Sequence, residues 1–192
     1  MKKDFLYLAS ASPRRSELLS QIGVRFEVRV AAIDEQREPG ELPADYVVRV
    51  ASAKADKIWA DTKDLPVLAA DTAVVVGEQV LGKPRDAQDA ERMLELLSDR
   101  SHRVLTCVAL RYGQVIDSRL SASEVRFRAT TAAERRAYCE SGEPLDKAGG
   151  YGIQGMAAIF IQHMSGSYSG IMGLPLYETA QLLGPLGLLD WP

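Results

Sequence analysis

A turn near the start of the chain combines two hydroxyls, a proline and two arginines. The residues are Ser10, Ser12, Pro13, Arg14 and Arg15, directly after the apolar run Leu6–Ala9. Pro13 predicts the first position of a helix, because a proline there loses no hydrogen bond. The free amides and the dipole at a helix N-terminus stabilise an anion, and Ser12 at the N-cap with Ser10 beside it would add hydroxyls. Two arginines in this first turn oppose the dipole unless an anion binds. The turn therefore predicts a phosphate site; a capped helix with two solvated arginines is the alternative.

A carboxylate, Asp71, interrupts the almost continuous apolar run from Pro66 to Gly77. Such a run is typical of a central strand that is buried on both faces. Burying an ionised acid costs several kcal/mol unless it is partnered. Asp71 is therefore predicted to be a metal ligand or a general base. The alternative is a structural aspartate that accepts hydrogen bonds from backbone amides.

The segment from Glu143 to Gly155 is rich in glycine around one lysine, Lys147, and one amide, Gln154. Glycines allow a backbone to approach a ligand closely or to adopt a positive φ. A flexible surface loop is the alternative. The apolar residues of Met156–Ile161 favour a segment that is folded into the body of the protein.

Hydrophobic periodicity predicts strands that alternate with helices, together with one hairpin. The expected helices cover residues 13–22, 43–59, 86–97, 131–142 and 176–183, the fourth opening with the capping box of Thr131 and Glu134. The expected strands cover residues 6–9, 26–30 and 66–77, residues 79–84 are expected to form a returning strand and a turn, and the hairpin covers residues 103–127 around Gly113-Gln114. Residues 33–40 are polar and contain Pro39 and Gly40, so a loop is predicted there. The pattern favours a mixed α/β fold.

The bulk properties are those of an ordinary globular protein. The chain has 192 residues, of which 46% are hydrophobic and 26% charged, and its net charge is -3. Nothing therefore draws the whole molecule toward a nucleic acid polymer or an anionic membrane, so a polyanionic ligand must meet a local cluster of cations. No apolar segment approaches membrane-spanning length. The first residues imitate a secretion signal, but the apolar run is short and Asp4 precedes it, so a cytoplasmic location is predicted.

The cysteines and histidines suggest no further chemistry. Cys107 and Cys139 lack the spacing of metal ligands and are predicted to be reduced thiols in or near the core, rather than a disulfide or a reactive site. His102 and His163 are distant in sequence from the motifs above and are predicted to be surface or hydrogen-bonded structural residues.

Several blocks of sequence, in order along nearly the whole chain, resemble the Maf family of nucleoside triphosphate pyrophosphatases. The blocks are Ser10–Arg15, Ala70–Thr72, Gly82–Pro84, Asp146–Gly155 and Gly173–Leu176. The resemblance implies one Maf-type domain over residues 1–192, with an elongated, two-lobed α/β fold similar to that of the inosine triphosphate pyrophosphatases. It implies an active site in the cleft between the lobes. It also implies a reaction dependent on Mg²⁺ or Mn²⁺ that converts a nucleoside triphosphate to the monophosphate and pyrophosphate.

The resemblance also implies roles for individual residues. The catalytic acid of the family falls on Asp71, and Glu35 can join it around the metal. The basic residues that bind phosphate fall on Arg15, Lys54 and Lys83, with Lys147 a further candidate. Hard carboxylate oxygens suit magnesium or manganese, and one carboxylate can instead take the proton from the attacking water.

Three positions that separate the branches of the family carry the residues of the branch that acts on dTTP and UTP: Arg14, Thr72 and Gln154. The amide of Gln154 can pair with the N–H and carbonyl edge of uracil or thymine, but a flipped amide would suit cytosine equally. Arg14 or Thr72 is therefore expected to donate to the O4 carbonyl. In a regular strand Thr72 would face away from Asp71, so either the strand bulges or the two residues serve different sides of the site. The run Ser169–Met172 departs from the family pattern.

Two other functions stay open at this stage. A nucleotide-binding regulatory module in cell-division control would bind nucleotides through the same cations with little turnover. An enzyme of the other Maf branch would act on methylated guanosine or other noncanonical nucleotides. The hairpin of residues 103–127 could supply the surface of a homodimer.

Overall fold

The computed structural model describes residues 5–189, so Asp4 and the first residues of the imitated secretion signal lie outside it. The chain divides into two compact units. The first unit contains residues 5–71, the segment Thr106–Ser121 and residues 173–189. The second unit contains Thr72–Leu105 and Ala122–Met172.

The described strands form one mixed sheet. They are β1 (Leu6–Leu8), β2 (Phe26–Val28), β3 (Val67–Val76), β4 (Gln79–Leu81), β5 (Ser101–Tyr112), β6 (Val115–Phe127) and β7 (Ile161–Ser165), in the order β2-β1-β3-β5-β6-β7 with β4 paired to β3. Strand β1 is parallel to both β2 and β3, with Leu6 opposite Phe26 and Leu8 opposite Leu68. The pairs β3–β4 and β6–β7 are antiparallel.

Helices flank this sheet, which confirms the predicted mixed α/β class. They are α1 (Pro13–Gln21), α2 (Pro43–Thr62), α3 (Ala87–Leu97), α4 (Ala132–Glu140), α5 (Tyr168–Met172) and α6 (Leu176–Leu183), with short 3₁₀ segments at Glu143–Asp146, Ala148–Gly150, Met156–Phe160 and Gly184–Leu186. None of the helices within residues 5–189 is both long enough and apolar enough to cross a membrane.

The five predicted helices correspond to α1, α2, α3, α4 and α6, whereas α5 was not predicted. Helix α1 begins at Pro13, and Ser12 occupies the N-cap position, although its hydroxyl makes no capping hydrogen bond. The capping box of Thr131 and Glu134 is present at the start of α4. Helix α2 extends beyond its predicted end at Trp59, because no helix breaker follows until Lys63, which ends it in the left-handed conformation.

The core of the first unit lies between its strands and helices α1 and α2. Its fully buried side chains include Leu6, Leu8, Leu19, Val47 and Val50. Burying an aliphatic side chain of this size contributes about 2 kcal/mol. Helix α2 packs against the neighbouring strands β1 and β3 in one buried cluster, which contains Ala55 and Ile58 of α2 together with residues of both strands.

The core of the second unit is built around aromatic rings. Phe127 and Tyr151 pack edge to face at 4.9 Å between centroids, and His102 contacts both rings. Tyr151 and Ile153 belong to this buried cluster. The glycine-rich segment is therefore anchored in a core, as predicted, and is not a flexible surface loop.

The histidines and cysteines behave as the sequence predicts. His102 is buried and its Nε2 lies 2.7 Å from the Tyr151 hydroxyl, whereas His163 is exposed on β7. Cys107 and Cys139 are free and buried. Burial raises the pKa of the Cys107 thiol to about 12, which keeps it protonated and unreactive.

Candidate active site

Asp71 and Glu35 converge on one ammonium group, that of Lys54. Lys54 Nζ lies 2.8 Å from Asp71 Oδ1 and 3.0 Å from Glu35 Oε1. The side chains of Lys54 and Asp71 are 10% and 8% exposed, whereas that of Glu35 is 49% exposed. The structure thus brings together the predicted catalytic acid Asp71, the predicted metal ligand Glu35 and the predicted phosphate-binding residue Lys54. The group is open to solvent on the side of Glu35.

The position of Lys54 follows from the periodicity of α2. The buried face of this helix contains Val47, Val50, Ala51 and Ile58, and Lys54 occupies the same face. Residues three and four apart share a helix face, so a lysine at this spacing must point toward the core. Asp71 on the adjacent strand β3 provides its partner, because a buried lysine is tolerated when it is paired and hydrogen-bonded.

Burial raises the pKa of Asp71 above its ordinary value. The charges of Lys54 and Arg15 oppose this shift, and the carboxylate of Glu35 adds to it. A carboxyl with a raised pKa accepts a proton more readily than an exposed one, which is the property that a general base at neutral pH needs.

The loop that carries Glu35 is tied to α2 by two side chains that the sequence analysis missed. The Tyr46 hydroxyl donates to the backbone carbonyl of Glu35 at 3.0 Å. Arg49 donates to the carbonyl of Gln36 at 2.9 Å and forms a bidentate pair with Glu41, at 2.6 and 2.9 Å. Burial raises the pKa of Tyr46 to about 12, and the nearby carboxylates of Asp71 and Glu35 contribute to this shift. The hydroxyl therefore stays protonated and remains a donor. No sequence motif marks these contacts, since they join a loop to a helix face.

The turn after β1 is folded inward around Arg15. Ser10 Oγ accepts from the amide of Ser12 at 3.2 Å and from Arg15 Nη1 at 3.3 Å. Arg15 Nε donates to the carbonyl of Gly173 at 2.7 Å. Burial lowers the pKa of Arg15, while the charges of Asp71 and Glu35 raise it. The guanidinium of Arg15 therefore interacts electrostatically with the same two carboxylates that contact Lys54. Arg14, the next residue along α1, is half-buried.

The remaining predicted residues belong to the second unit. Lys83 is exposed after β4, and Lys147 Nζ donates to the carbonyl of Glu143 and to Asp146 Oδ1, both at 2.7 Å. Gln154 is exposed in a turn. Thr72 follows Asp71 in β3, which continues as a strand through both residues, so the alternation of side chains favours the prediction that they serve different sides.

The described residues include no group of three or more histidine, cysteine or acidic side chains that could enclose a metal. Asp71 and Glu35 are nevertheless two carboxylates that converge on a single cation. Magnesium is usually held by one or two carboxylates together with substrate phosphates and water. The donor set therefore fits a divalent metal that arrives with a phosphate ligand.

The chain matches a known family over nearly its whole length. Residues 5–186 match the family described as "Maf-like protein", and the chain belongs to this family. The family match covers the Ser10 turn, Asp71 and the glycine-rich segment.

Curated relatives align over nearly the whole chain. A protein of Cupriavidus pinatubonensis (strain JMP 134 / LMG 1197) is 52% identical over 191 residues, which cover 94% of this chain and 96% of the relative. A protein of Bordetella parapertussis is 54% identical over 95% of this chain and 93% of the relative, and one of Escherichia coli O157:H7 is 51% identical over 96% and 94%. Each of these relatives is named dTTP/UTP pyrophosphatase.

A solved structure, described as "The structure of the Staphylococcus aureus Ham1 protein", aligns with 92% of this chain and 90% of its own. The sequence identity is 14% and the TM-score is 0.43.

Proposed function

We propose that this protein hydrolyses dTTP and UTP to the nucleoside monophosphate and pyrophosphate. The observation that carries the proposal is the buried contact between Asp71 and Lys54, which is joined by Glu35 and lies in the electrostatic field of Arg15. An acid with a raised pKa can accept a proton, and the cations beside it can bind the negative charges of a triphosphate. The names of relatives that are about half identical to the chain support the choice of reaction and substrates.

Asp71 acts as the general base in this proposal. It takes a proton from a water molecule, whose oxygen then bonds to the α-phosphorus as the bond from that phosphorus to the α–β bridging oxygen breaks. The bridging oxygen leaves with the pyrophosphate. The burial that raises the pKa of Asp71 improves it as a base, and the adjacent cations stabilise the charge that develops on the phosphate oxygens.

The phosphates are held by the cations of the site. Arg15 offers a fork of donors that suits phosphate oxygens, and Lys54 offers a point charge that can move from the carboxylates to the substrate. The amides at the start of α1 and the hydroxyls of Ser10 and Ser12 provide further donors. Lys83 and Lys147 are proposed as additional phosphate ligands on the strength of the family resemblance.

The proposed reaction uses a divalent cation, either Mg²⁺ or Mn²⁺. Asp71 and Glu35 would hold it together with the substrate phosphates, since their oxygens already converge on one cation. The metal would neutralise charge on the phosphates. Glu35, at the exposed side of the group, is the residue best placed to exchange Lys54 for the incoming ion.

Base selectivity is assigned to Arg14, Thr72 and Gln154. The amide of Gln154 pairs with the imide edge of thymine or uracil, and Arg14 or Thr72 donates to the O4 carbonyl, which cytosine replaces with an amine. A site with a donor aimed at O4 rejects cytosine because two donors would then face each other.

The proposal is tested by incubating the purified protein with a panel of nucleoside triphosphates and Mg²⁺ or Mn²⁺ and separating pyrophosphate from orthophosphate among the products. Pyrophosphate from dTTP and UTP, with little from CTP and the purine nucleotides, is the expected result. Turnover of methylated or purine nucleotides instead would contradict the assignment of the base-selective residues. Nucleotide binding without turnover would replace the enzyme by a regulatory nucleotide-binding module.

A further inference from the structure

Gln154 lies in a tight turn whose two ends are both held by hydrogen bonds. The amide of Gly155 donates to the carbonyl of Gly152 at 3.1 Å, so residues 152–155 form a β-turn with Gln154 in its third position. Ile153, the second residue of the turn, is buried in the core of the second unit, while Gln154 is exposed. One side chain anchors the turn, and the next is presented to solvent.

Two polar side chains from outside the turn hold its ends. The amide of Gly152 donates to the Tyr138 hydroxyl at 3.3 Å, and the amide of Met156, just after the turn, donates to Glu143 Oε2 at 3.0 Å. Tyr138 and Glu143 also bind each other, because the Tyr138 hydroxyl donates to Glu143 Oε1 at 2.9 Å. The hydroxyl and the carboxylate thus form one bridge from the start of the turn to its end.

The Glu143 carboxylate occupies the space that a side chain at Gly155 would need. A Cβ built on Gly155 would overlap the Glu143 carboxylate, and one built on Gly152 would lie 2.9 Å from Lys147 Cε. The carboxylate therefore packs directly on the backbone next to Gln154. The position of the Glu143 carboxylate is thus coupled directly to the backbone beside Gln154.

Burial and the Glu143 carboxylate raise the pKa of Tyr138. Its hydroxyl therefore keeps its proton over the working range of pH and continues to donate to Glu143. Lys147 binds the backbone carbonyl of Glu143, not its carboxylate, so a change of the Glu143 side chain leaves that contact of Lys147 in place.

We propose that Glu143 and Tyr138 are positioning residues for base selectivity. They hold the turn so that the side-chain amide of Gln154 has the orientation that accepts uracil and thymine. This inference rests on the proposed function, in which Gln154 pairs with the base. Hydrogen bonds to both ends of a turn restrict the backbone of the residues between them, and so limit the directions from which the side-chain amide of Gln154 can approach a base. A restricted amide discriminates bases better than one that moves freely.

The test compares Glu143→Ala, Glu143→Gln and Gln154→Ala by the ratio of kcat/KM for UTP to that for CTP. Glu143→Ala removes both acceptors, and the ratio is expected to fall at least fivefold. Glu143→Gln can still accept from Met156 and pair with Tyr138, so it should restore most of the ratio. In the double variant Glu143→Ala/Gln154→Ala the ratio should fall no further than in Gln154→Ala, because the two changes remove the same selectivity.

Glu134→Ala is the matched control. Glu134 also accepts a backbone amide, that of Thr131, but it caps α4 and has no contact with the turn. It should lower stability without changing the ratio. If Glu143→Ala does not fold, Tyr138→Phe removes the hydroxyl that bonds both Gly152 and Glu143, and it is expected to lower the same ratio.

The outcomes separate this inference from the proposed function. If Gln154→Ala lowers the ratio and neither Glu143→Ala nor Tyr138→Phe does so, the positioning role is overturned while the proposed function stands. If Gln154→Ala leaves the ratio unchanged, base recognition by Gln154 is wrong and the positioning role falls with it. A loss of stability in Glu143→Ala with an unchanged ratio likewise overturns the inference, since a merely structural residue would behave in that way.

Discussion

Lys54 Nζ on α2 donates to Asp71 Oδ1 on β3 at 2.8 Å, although the two residues are 17 positions apart in sequence. Both side chains are buried, and the same ammonium also contacts the more exposed Glu35. A buried ion pair costs desolvation that its own attraction only partly offsets. Its presence at this point, where an apolar pair would pack more simply, is explained best by the chemistry of a phosphate substrate.

Replacing Lys54 by methionine should reduce both turnover and stability. The methionine keeps the apolar stem but leaves Asp71 buried beside Glu35 without its ammonium partner. We expect the free energy of unfolding in urea to fall by about 3 kcal/mol and kcat/KM for dTTP to fall at least about 100-fold. Lys57→Met on the same helix is the control, because the exposed pair that Lys57 forms with Asp61 is worth at most about 0.5 kcal/mol. Equal effects of the two variants would refute a special role for Lys54.

Arg49→Met should impair catalysis by releasing the loop that carries Glu35. The change removes the bidentate pair with Glu41 and the bond to the carbonyl of Gln36. We expect kcat/KM to fall about 10-fold, because small displacements of a reacting group are costly, and a higher metal concentration to be needed for half-maximal rate. Arg29→Met breaks an exposed pair with Glu27 and serves as the control. An unchanged metal requirement in Arg49→Met would show that the loop holds its position without Arg49.

His102 should make the protein less stable in mild acid. Burial lowers the pKa of His102 to about 4, whereas an unfolded histidine titrates near its ordinary value of 6.5. Between these pH values the unfolded chain binds a proton that the folded protein does not. His102 therefore leaves the free energy of unfolding unchanged above about pH 6.5 and lowers it as the pH falls toward 4. The loss amounts to at most about 3 kcal/mol.

The measurement is urea unfolding at intervals between pH 7 and pH 4.5 for the native protein, His102→Gln and His163→Gln. His102→Gln should lose part of the dependence on pH, while His163→Gln, which changes an exposed histidine on β7, should retain it. Identical pH profiles for all three proteins would show that His102 does not carry the effect.

Local signals in the sequence were enough to predict most elements of the fold. Pro13 and the box of Thr131 and Glu134 each gave the correct start of a helix, because capping depends on neighbours in sequence. The end of α2 was predicted too early, since the residues after Trp59 contain neither proline nor glycine and the stop depends on the conformation of Lys63. Helix ends that depend on a single residue in the left-handed region are hard to predict from pattern.

A site residue could be predicted from the sequence only where it interrupts the apolar pattern of a single strand or helix. Asp71 stands out because it interrupts an apolar strand, and Lys54 could have been found in the same way, since it occupies the apolar face of α2. The supporting contacts of Tyr46, Arg49 and Glu143 left no such mark, because each joins segments whose proximity depends on the folded chain. The role of every site residue stays a prediction, and those of Glu35, Lys54, Lys83 and Gln154 came from the family resemblance.

The most direct test of the account is the variant Asp71→Asn, assayed for both turnover and binding of dTTP. Asparagine keeps the shape of the side chain but cannot take a proton, so pyrophosphate release should fall at least about 1,000-fold while dTTP binding, measured by calorimetry, is retained or tightened. Asp89→Asn is the matched control, because Asp89 is another buried aspartate paired with basic residues, Arg85 and Arg92, and should affect stability but not turnover. Pyrophosphate release by Asp71→Asn at more than about a tenth of the native rate would contradict the role of Asp71 as the general base.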